Sequence, residues 1–417
     1  MTGTGTVGRA PLELGEAFIQ DPYAVYAALR DEGAVHRVLM PSGLRAWLVP
    51  RYAEARGLLA DPRLRKGRDG MQAAFARQYG PPQDGAEFQL GGHMLETDPP
   101  DHTRLRKLVN KAFTARRIEA LRPRVEQIVA SRLDGLAGAA EAGTVDLIDR
   151  YAFPIPVTVI CELLGVPFED RDDFRRWSAK ILSVDMDDGE AARAMAAYLT
   201  GLVEAKRSEP SDDMLCALIR ASDDEDRLSG RELVSMAFLL LIAGHETTVN
   251  LIGNGVLALL RHPDQLAALR ADPGLLPGAI EEFLRFEGPV NLATFRYTAE
   301  PVEVGGVTIP AGEFVLVALN GADHDPARFA EPDTLDITRP VGGHLAFGHG
   351  IHYCLGAPLA RLEGAIAIGG LLDRFPGLRL ADADADPAQP RWRNSTLIRG
   401  LTELPVVLGR PASDDRS

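Results

Sequence analysis

The 417-residue chain has little that could fix a fold covalently. Its three cysteines, Cys161, Cys216 and Cys354, lie far apart. An odd, sparse set excludes a disulfide framework and fits a reducing compartment. Positive charge is also short: 45 Lys and Arg stand against 59 Asp and Glu, a formal net charge of −14. With no basic run interleaved with aromatics, general nucleic-acid binding is excluded. The start, MTGTGTVGRAPLELGEAF, lacks the basic-then-apolar pattern of a signal peptide or membrane anchor. The expectation is a cytoplasmic protein. No Ser/Gly-rich linker, low-complexity tract or internal repeat marks a boundary. One domain over residues 1–417 is expected, with flexible tails at about 1–15 and 411–417. Such a chain can bury a large core and still enclose a cavity.

The pattern that is present is mostly helical. VHRVLM and RAWLVP flank the turn residues Pro41-Ser42-Gly43 and predict a strand pair. Lys66 to Leu95, rich in Gly, Gln and Pro, reads as a long irregular loop. From Asp101 to about Arg270 the period is helical. Its clearest element starts at Ser229 and Glu232, a capping box, with Leu228 and Leu233 as a hydrophobic staple, and runs to about Arg261. Leu233 to Leu260 holds no Lys or Arg and is long enough to span a bilayer. His245, Glu246, Asn250 and Asn254 within it argue for a buried central helix instead. After Arg285, VEVGGVTIPAGEFVLVAL alternates as strands with Gly-Gly and Pro-Ala-Gly turns. DHDPARFAEPDTLDITRP is irregular, a helix follows from about Leu355 to Phe375, and STLIRGLTELPVVL reads as a terminal hairpin.

The decapeptide FGHGIHYCLG, Phe347 to Gly356, concentrates chemistry. With His344 just upstream, four side chains could hold a metal: His344, His349, His352 and Cys354. Together they could bind zinc, but zinc sites use tight pairs closed by a second, distant pair, and no other CxxC or HxxH exists. A lone cysteine is ordinarily a small buried hydrophobe, which is the reading for Cys161 and Cys216. Cys354 differs because it precedes a helix with Pro358 in the first turn. Free N–H groups and the positive end of the helix dipole favour a thiolate there. Flanking glycines let a flat ligand approach the backbone.

The spacing Phe347-x2-Gly350-x3-Cys354-x-Gly356 resembles the haem-binding loop of the cytochrome P-450 superfamily. The resemblance implies that Cys354 is the iron ligand. It places Phe347, Gly348 and Gly356 against haem b and His352 at a propionate. Three other segments fit. Ala243-Gly244-His245-Glu246-Thr247-Thr248 is similar to the family's oxygen-activation segment. Small Ala243 and Gly244 leave room for O2, Thr247 is the catalytic alcohol and Glu246 the proton relay. His245 has no assigned role. Glu282 and Arg285 form an ExxR pair which, with Arg339, is a structural network in the family. His102 and Arg106, four apart on one helix face, repel unless an anion lies between them. The family uses such a pair, with a match here to Arg296, for the haem propionates.

The likeness runs from about Phe18 to the end of the chain and is closest to soluble actinobacterial members that tailor macrolides and other polyketides. A departure is Leu335, where the family usually has Phe. The implied fold is mainly α with small β-sheets, haem lying between the long central helix and the helix after Cys354. The implied enzyme is a haem-thiolate monooxygenase acting on a bulky lipophilic molecule. Electrons would come from NAD(P)H through an external ferredoxin and ferredoxin reductase. Arg104, Lys107, Lys111, Arg116 and Arg117, in a stretch without acids, are candidates for docking an acidic ferredoxin. Substrate contacts are expected from the 66–95 loop, a Phe174–Arg207 helical lid, and the chain near 290–294 and 394–397. The pocket residues named are Leu95, Leu240, Ala243, Val290, Asn291, Leu292, Thr294, Thr396 and Leu397. A monomer is expected, bound to neither membrane nor nucleic acid. A haem sensor or carrier and a peroxide-driven oxygenase are the rival readings.

Overall fold

The central helix, Gly230–Arg261, starts where its cap dictates. Glu232 N donates to Ser229 Oγ at 3.2 Å and Ser229 N to Glu232 Oε2 at 2.8 Å, closing the capping box. Leu228 and Leu233, the arms of the expected staple, are buried in one apolar cluster. The computed structural model describes residues 10–80, 90–139, 143–181, 189–223, 228–340, 342–381 and 390–412. Within it the central helix is long and apolar enough to cross a membrane, yet most of it is buried by protein. Helices Pro154–Leu164, Glu190–Ser208, Leu276–Phe286 and Ala357–Arg374 pack around it.

Small residues set the contact with Ala357–Arg374, here called the cysteine helix. A Cβ on Gly364 would meet Leu251 at 3.0 Å, and one on Gly255 would meet Ile368 at 3.0 Å. Contacts 251–364 and 255–368 advance together, so the two helices run in the same direction here. N-terminal to this contact lie Ala243–Thr247 in the central helix and Cys354 just before the cysteine helix. This shared offset brings the two motifs to one region of the molecule.

The sheets are small. The largest orders Leu12–Glu13, His36–Leu39, Arg45–Val49, Phe314–Val317, Arg296–Thr298 and Leu64–Arg65. The expected pair around Pro41-Ser42-Gly43 is antiparallel, with Gly43 at φ 82°. Val302–Val304 and Val307–Ile309 close through Gly305-Gly306, both at positive φ, as a two-residue hairpin demands.

Four expectations are corrected. Arg68–Tyr79 is a helix inside the supposed loop, and Gly80 at φ 84° ends it. Its run Met-Gln-Ala-Ala-Phe-Ala-Arg-Gln consists largely of good helix formers, which outweigh Gly70. Thr144–Asp146 is a strand within the supposedly helical stretch, and it pairs with Pro405–Val407. The end of the chain is therefore not a self-contained hairpin, since Pro405–Val407 lies between Thr144–Asp146 and Arg379–Leu380. A smaller closed loop, joined by a Trp392–Leu401 bridge, precedes it. The N-terminal tail is ordered earlier than expected: Leu12–Glu13 pairs with Val38–Leu39, and Leu14 is buried. Residues 1–9 and 413–417 of the expected tails, 81–89 of the loop and 182–188 of the lid lie outside the described residues. Leu335, the departure from the family pattern, is buried in the main core.

Candidate functional site

The cysteine loop is built by its own backbone. Cys354 N donates to Phe347 O at 2.9 Å, Gly348 N to Leu345 O at 2.7 Å and Tyr353 N to Gly350 O at 3.1 Å. Gly348 and Gly350 take φ of 72° and 76°, the left-handed region. Gly350 is also pressed against the end of the Tyr52–Leu59 helix, where a Cβ would come within 2.7 Å of Leu59 O. At Gly356 a Cβ would meet only Cys354 Sγ, at an ordinary 3.9 Å, so protein packing does not demand glycine there.

Four candidate metal ligands part company. His344 Nε2 lies 3.0 Å from Glu281 Oε2, and Arg361 grips the same carboxylate with two bonds of 2.5 and 2.8 Å. Burial raises the Glu281 carboxyl, but these two partners pull it down to about 2. Arg361 also covers the Phe347 ring at 4.5 Å. His344 thus anchors the loop to the Leu276–Phe286 helix. His352 faces His102, with ring centroids 4.5 Å apart. Among the described residues no three His, Cys, Asp or Glu side chains converge as a ligand set. A zinc site from the histidines is thereby overturned. Cys354 remains, half-buried. The expected thiolate bias is present but outweighed in the protein alone. Burial pushes the thiol up, against the Gly356 and Ala357 N–H groups and the Arg106 and Arg361 guanidinia. Metal binding itself deprotonates such a thiol.

The predicted propionate residues do come together, with one that the sequence reading missed. Leu64 pairs with Thr298 and Arg65 with Tyr297, so the register places Lys66 opposite Arg296. Lys66 is 4% exposed and Arg296 is also 4% exposed. Lys66 Nζ donates to Thr294 Oγ1 at 2.5 Å, and Arg296 Nη1 to Thr294 O at 3.0 Å. Asp98, an acid that acts on both, is already held by the Lys66 and Gly67 N–H groups at 3.0 and 2.8 Å, and Glu96 also acts on Lys66. Burial drives Arg296 down to about 10 and Lys66 well below the usual lysine value, and for Lys66 the Arg296 charge adds to the effect. Burial also lowers His102 and takes His352 to about 2, with Lys66 adding to both. His102 Nε2 is buried without a hydrogen-bond partner. Five basic side chains, Lys66, His102, Arg106, Arg296 and His352, therefore share a pocket short of anions. Haem, with two propionates, supplies what this cluster lacks.

The central helix provides the opposite wall. Ala243, Gly244 and Thr247 are exposed or half-exposed, while His245, Glu246 and Thr248 are buried. An exposed stripe at this spacing in the middle of a core helix borders a cavity. Thr247 Oγ1 donates to Ala243 O at 3.0 Å, the back-bond of a hydroxyl at helical spacing. Glu246 Oε1 pairs with Arg393 Nη1, a partner the sequence reading did not find. His245 Nδ1 lies 2.7 Å from Leu241 O, and its Nε2 lies 3.7 Å from Glu246 Oε2.

The ExxR network is formed in full and is not a surface pair. Glu282 and Arg285 are both 0% exposed. Arg285 Nε and Nη2 donate to Glu282 at 2.8 Å each, and Nη1 reaches Asp323 O and Pro332 O at 3.0 and 2.7 Å. Arg339 Nε joins Glu282 Oε1 at 3.3 Å.

Several assigned residues serve elsewhere. Asn291 is turned into the fold: its Oδ1 accepts from Tyr26 Oη at 2.8 Å and its Nδ2 donates to Thr396 O at 3.3 Å. Leu292 belongs to the core cluster of Phe18, Tyr26 and Phe314. Neither is left for a pocket, because the extended chain alternates sides and these two face packed layers. Leu95, Val290, Thr294, Thr396 and Leu397 stay half-buried. Leu240, although buried, lies on the Ala243–Thr247 side of the central helix. Arg104 is paired with Glu232 of the capping box, away from the basic face assigned to it. A surface cavity of about 390 Å³ between Ile118, Val125, Val159 and Met214 contains none of the haem or pocket residues, though Arg117 of the expected docking face lines it.

The comparisons agree with this geometry. The family model for Cytochrome P450 matches residues 172–398. Cytochrome P450 107B1 of Saccharopolyspora erythraea is 55% identical over 410 residues, 97% of this chain and 100% of that one. The 6-deoxyerythronolide B hydroxylase of the same organism is 48% identical over 402 residues, 94% of this chain and 97% of that one. The solved structure of the tirandamycin C-bound P450 monooxygenase TamI matches with a TM-score of 0.86 at 54% identity, covering 96% of this chain and 100% of that one. A cysteine isolated at the mouth of a helix, a cationic pocket short of anions and a cavity-facing alcohol next to a buried acid thus occur in a chain that belongs to the cytochrome P450 family.

Proposed function

We propose that this P450 monooxygenase oxidises a bulky, lipophilic small molecule of the polyketide or macrolide kind, by hydroxylation or epoxidation. The observation that carries the reading is the exposed Ala243–Thr247 stripe with buried Glu246 beside it, on the side of the central helix shared with Cys354. The name of the erythronolide hydroxylase and the tirandamycin bound to TamI support the substrate class. Haem b, when bound, supplies activation of O2 and transfer of one oxygen atom, with electrons from NAD(P)H passed by an external ferredoxin and its reductase.

The chain's own residues do the rest. Cys354 would hold the iron through its thiolate. His102, Arg106, Arg296, His352 and Lys66 would neutralise the propionates. Phe347 would pack beside the flat ring, and Gly348, Gly356 and Ala243 would leave it room; Gly244 is glycine for packing, since a Cβ there would meet Ile160 at 2.8 Å. Glu246, a carboxylate paired with Arg393, takes up a proton from the solvent side and passes it on toward Thr247 Oγ, whose own proton is delivered into the cavity. Leu95, Leu240, Val290, Thr294, Thr396 and Leu397 present a mostly apolar wall, which suits a lipophilic substrate. A haem carrier has no use for an acid–alcohol pair so placed, and a peroxide-driven enzyme no need of one.

The docking face for the ferredoxin is built around the cysteine loop. Ile351 is 51% and Tyr353 40% exposed, and Arg106 Nη2 donates to Tyr353 O at 2.7 Å. That bond ties the loop to helix Asp101–Ala112, where Lys107 and Lys111 are exposed, with Arg116 and Arg117 following. A cytoplasmic monomer suits this arrangement. The test is turnover of a macrolide under isotopically labelled O2. One labelled oxygen atom in the product supports the reading, and label found only in water or peroxide with every polyketide tried contradicts it.

A further inference from the structure

The loop 391–402 is a closed unit. Trp392 bridges Leu401, Arg393 N donates to Gly400 O at 2.9 Å and Ser395 N to Arg393 O at 2.8 Å. One side of it is pinned to the core. Asn291 N donates to Leu397 O at 2.8 Å, and Arg399 bonds Glu287 at 2.8 Å while covering the Trp392 ring at 3.4 Å. Its tip holds Thr396 and Leu397, half-buried and assigned above to the pocket wall. From the same frame the Arg393 side chain reaches Glu246 Oε1 in the central helix.

The electrostatics make this pair consequential. Glu246 is 3% exposed, and a buried carboxylate needs a charged or hydrogen-bonded partner. His245, beside its other oxygen, does not supply that charge: burial takes the ring down to about 4, so it is neutral near neutrality. Arg393 is 29% exposed at its side chain, so the pair reaches from a buried acid toward solvent.

We infer that Arg393 is a positioning residue that ties the pocket loop to the relay acid, so that Glu246 is held for proton transfer only when loop 391–402 is seated. The inference rests on the reading of Glu246 as the relay. Contact of a substrate with Thr396 and Leu397 is thereby felt at the acid through Arg393, three residues from Thr396.

The test uses the haem-loaded enzyme with ferredoxin and reductase, and reads NAD(P)H consumption without organic substrate, its solvent deuterium isotope effect, and hydrogen exchange of segment 391–402. E246Q and R393Q are each expected to slow consumption about tenfold and enlarge the isotope effect. R393K, which keeps the charge, should restore most of the rate, and the double variant should be no slower than either single one. Both E246Q and R393Q should speed exchange in the loop. An unchanged R393Q beside a slowed E246Q would overturn the inference and leave the relay intact. An unchanged E246Q would overturn the relay and the inference with it. Where R393Q fails to load haem, E246Q still decides, because unaltered loop exchange there overturns the link.

Discussion

Lys66 and Arg296 are like charges set directly opposite each other on paired strands, an arrangement that is destabilising by itself. Its purpose is an anion, and the prediction follows at once. Lys66→Met should release haem to an acceptor apoprotein about tenfold faster, the scale of one charge-assisted hydrogen bond. Unchanged release would give Lys66 a different role. Lys66 escaped the sequence reading because strand register is not written in a local motif. Cys354 was legible because its loop is a local structure, set by glycines at fixed offsets. Asn291 and Leu292 were misplaced because the side toward which an extended residue points depends on its pairing partners. Glu363 offers a second test. It is buried, and burial lifts its carboxyl to about 8. The folded protein thus binds this proton more tightly than the unfolded chain does. The stability it contributes is complete below the ordinary carboxyl range, near pH 4, and is lost as pH rises through about 8. Glu363→Gln should therefore gain in Tm relative to the parent as pH rises from about 6 to about 9. A constant difference in thermal melts would contradict the assignment.

The helix Leu276–Phe286 holds the site together from two adjacent carboxylates. Glu282 turns inward to Arg285 and Arg339, and Glu281 turns to Arg361 and His344. One stabilises the meander near residue 332, the other the cysteine loop. Removing one side of a fully buried ion pair leaves the other charge unpaired, at about 3–5 kcal/mol. Glu282→Ala should lose that much in urea unfolding or fail to accumulate as folded protein. Glu281→Gln should be milder, because its carboxylate is partly exposed, and should show chiefly in the cysteine loop, as faster hydrogen exchange over residues 344–356. Equal losses in the two variants would mean that the helix works as a single brace. Among the elements, the central helix was readable end to end because its cap, its apolar length and its terminating His262-Pro263 agree. Arg68–Tyr79 was not, because Gly70 and the surrounding loop composition hide a short run whose only buried residue is Ala74. Thr144–Asp146 was hidden for a related reason: three residues form a strand only through partners more than 230 positions away.

For the whole molecule, charge is distributed against the average. A chain at −14 keeps Lys107 and Lys111 exposed on the helix that Arg106 ties to the cysteine loop, with Arg116 and Arg117 exposed just beyond it. Lys107→Glu with Lys111→Glu should slow ferredoxin-driven reduction about tenfold at low salt, and the difference should shrink as salt screens the field. Reduction rates that ignore both changes would remove the docking face. The global arrangement was legible where several distant motifs had to serve one ligand: Cys354, His102 with Arg106, and Arg296 lie far apart in sequence and meet in one pocket. The links between layers, such as Glu246 with Arg393, were not, because a single long-range ion pair leaves no pattern in either segment. The claim on which everything rests is that Cys354 holds haem iron through sulfur. The measurement is the absorption spectrum of the reduced, carbon monoxide-bound protein, for the parent and for Cys354→His. A strongly red-shifted Soret band in the parent, lost in the variant, is the predicted result; a histidine-type band in the parent, or the same band in both proteins, would contradict it.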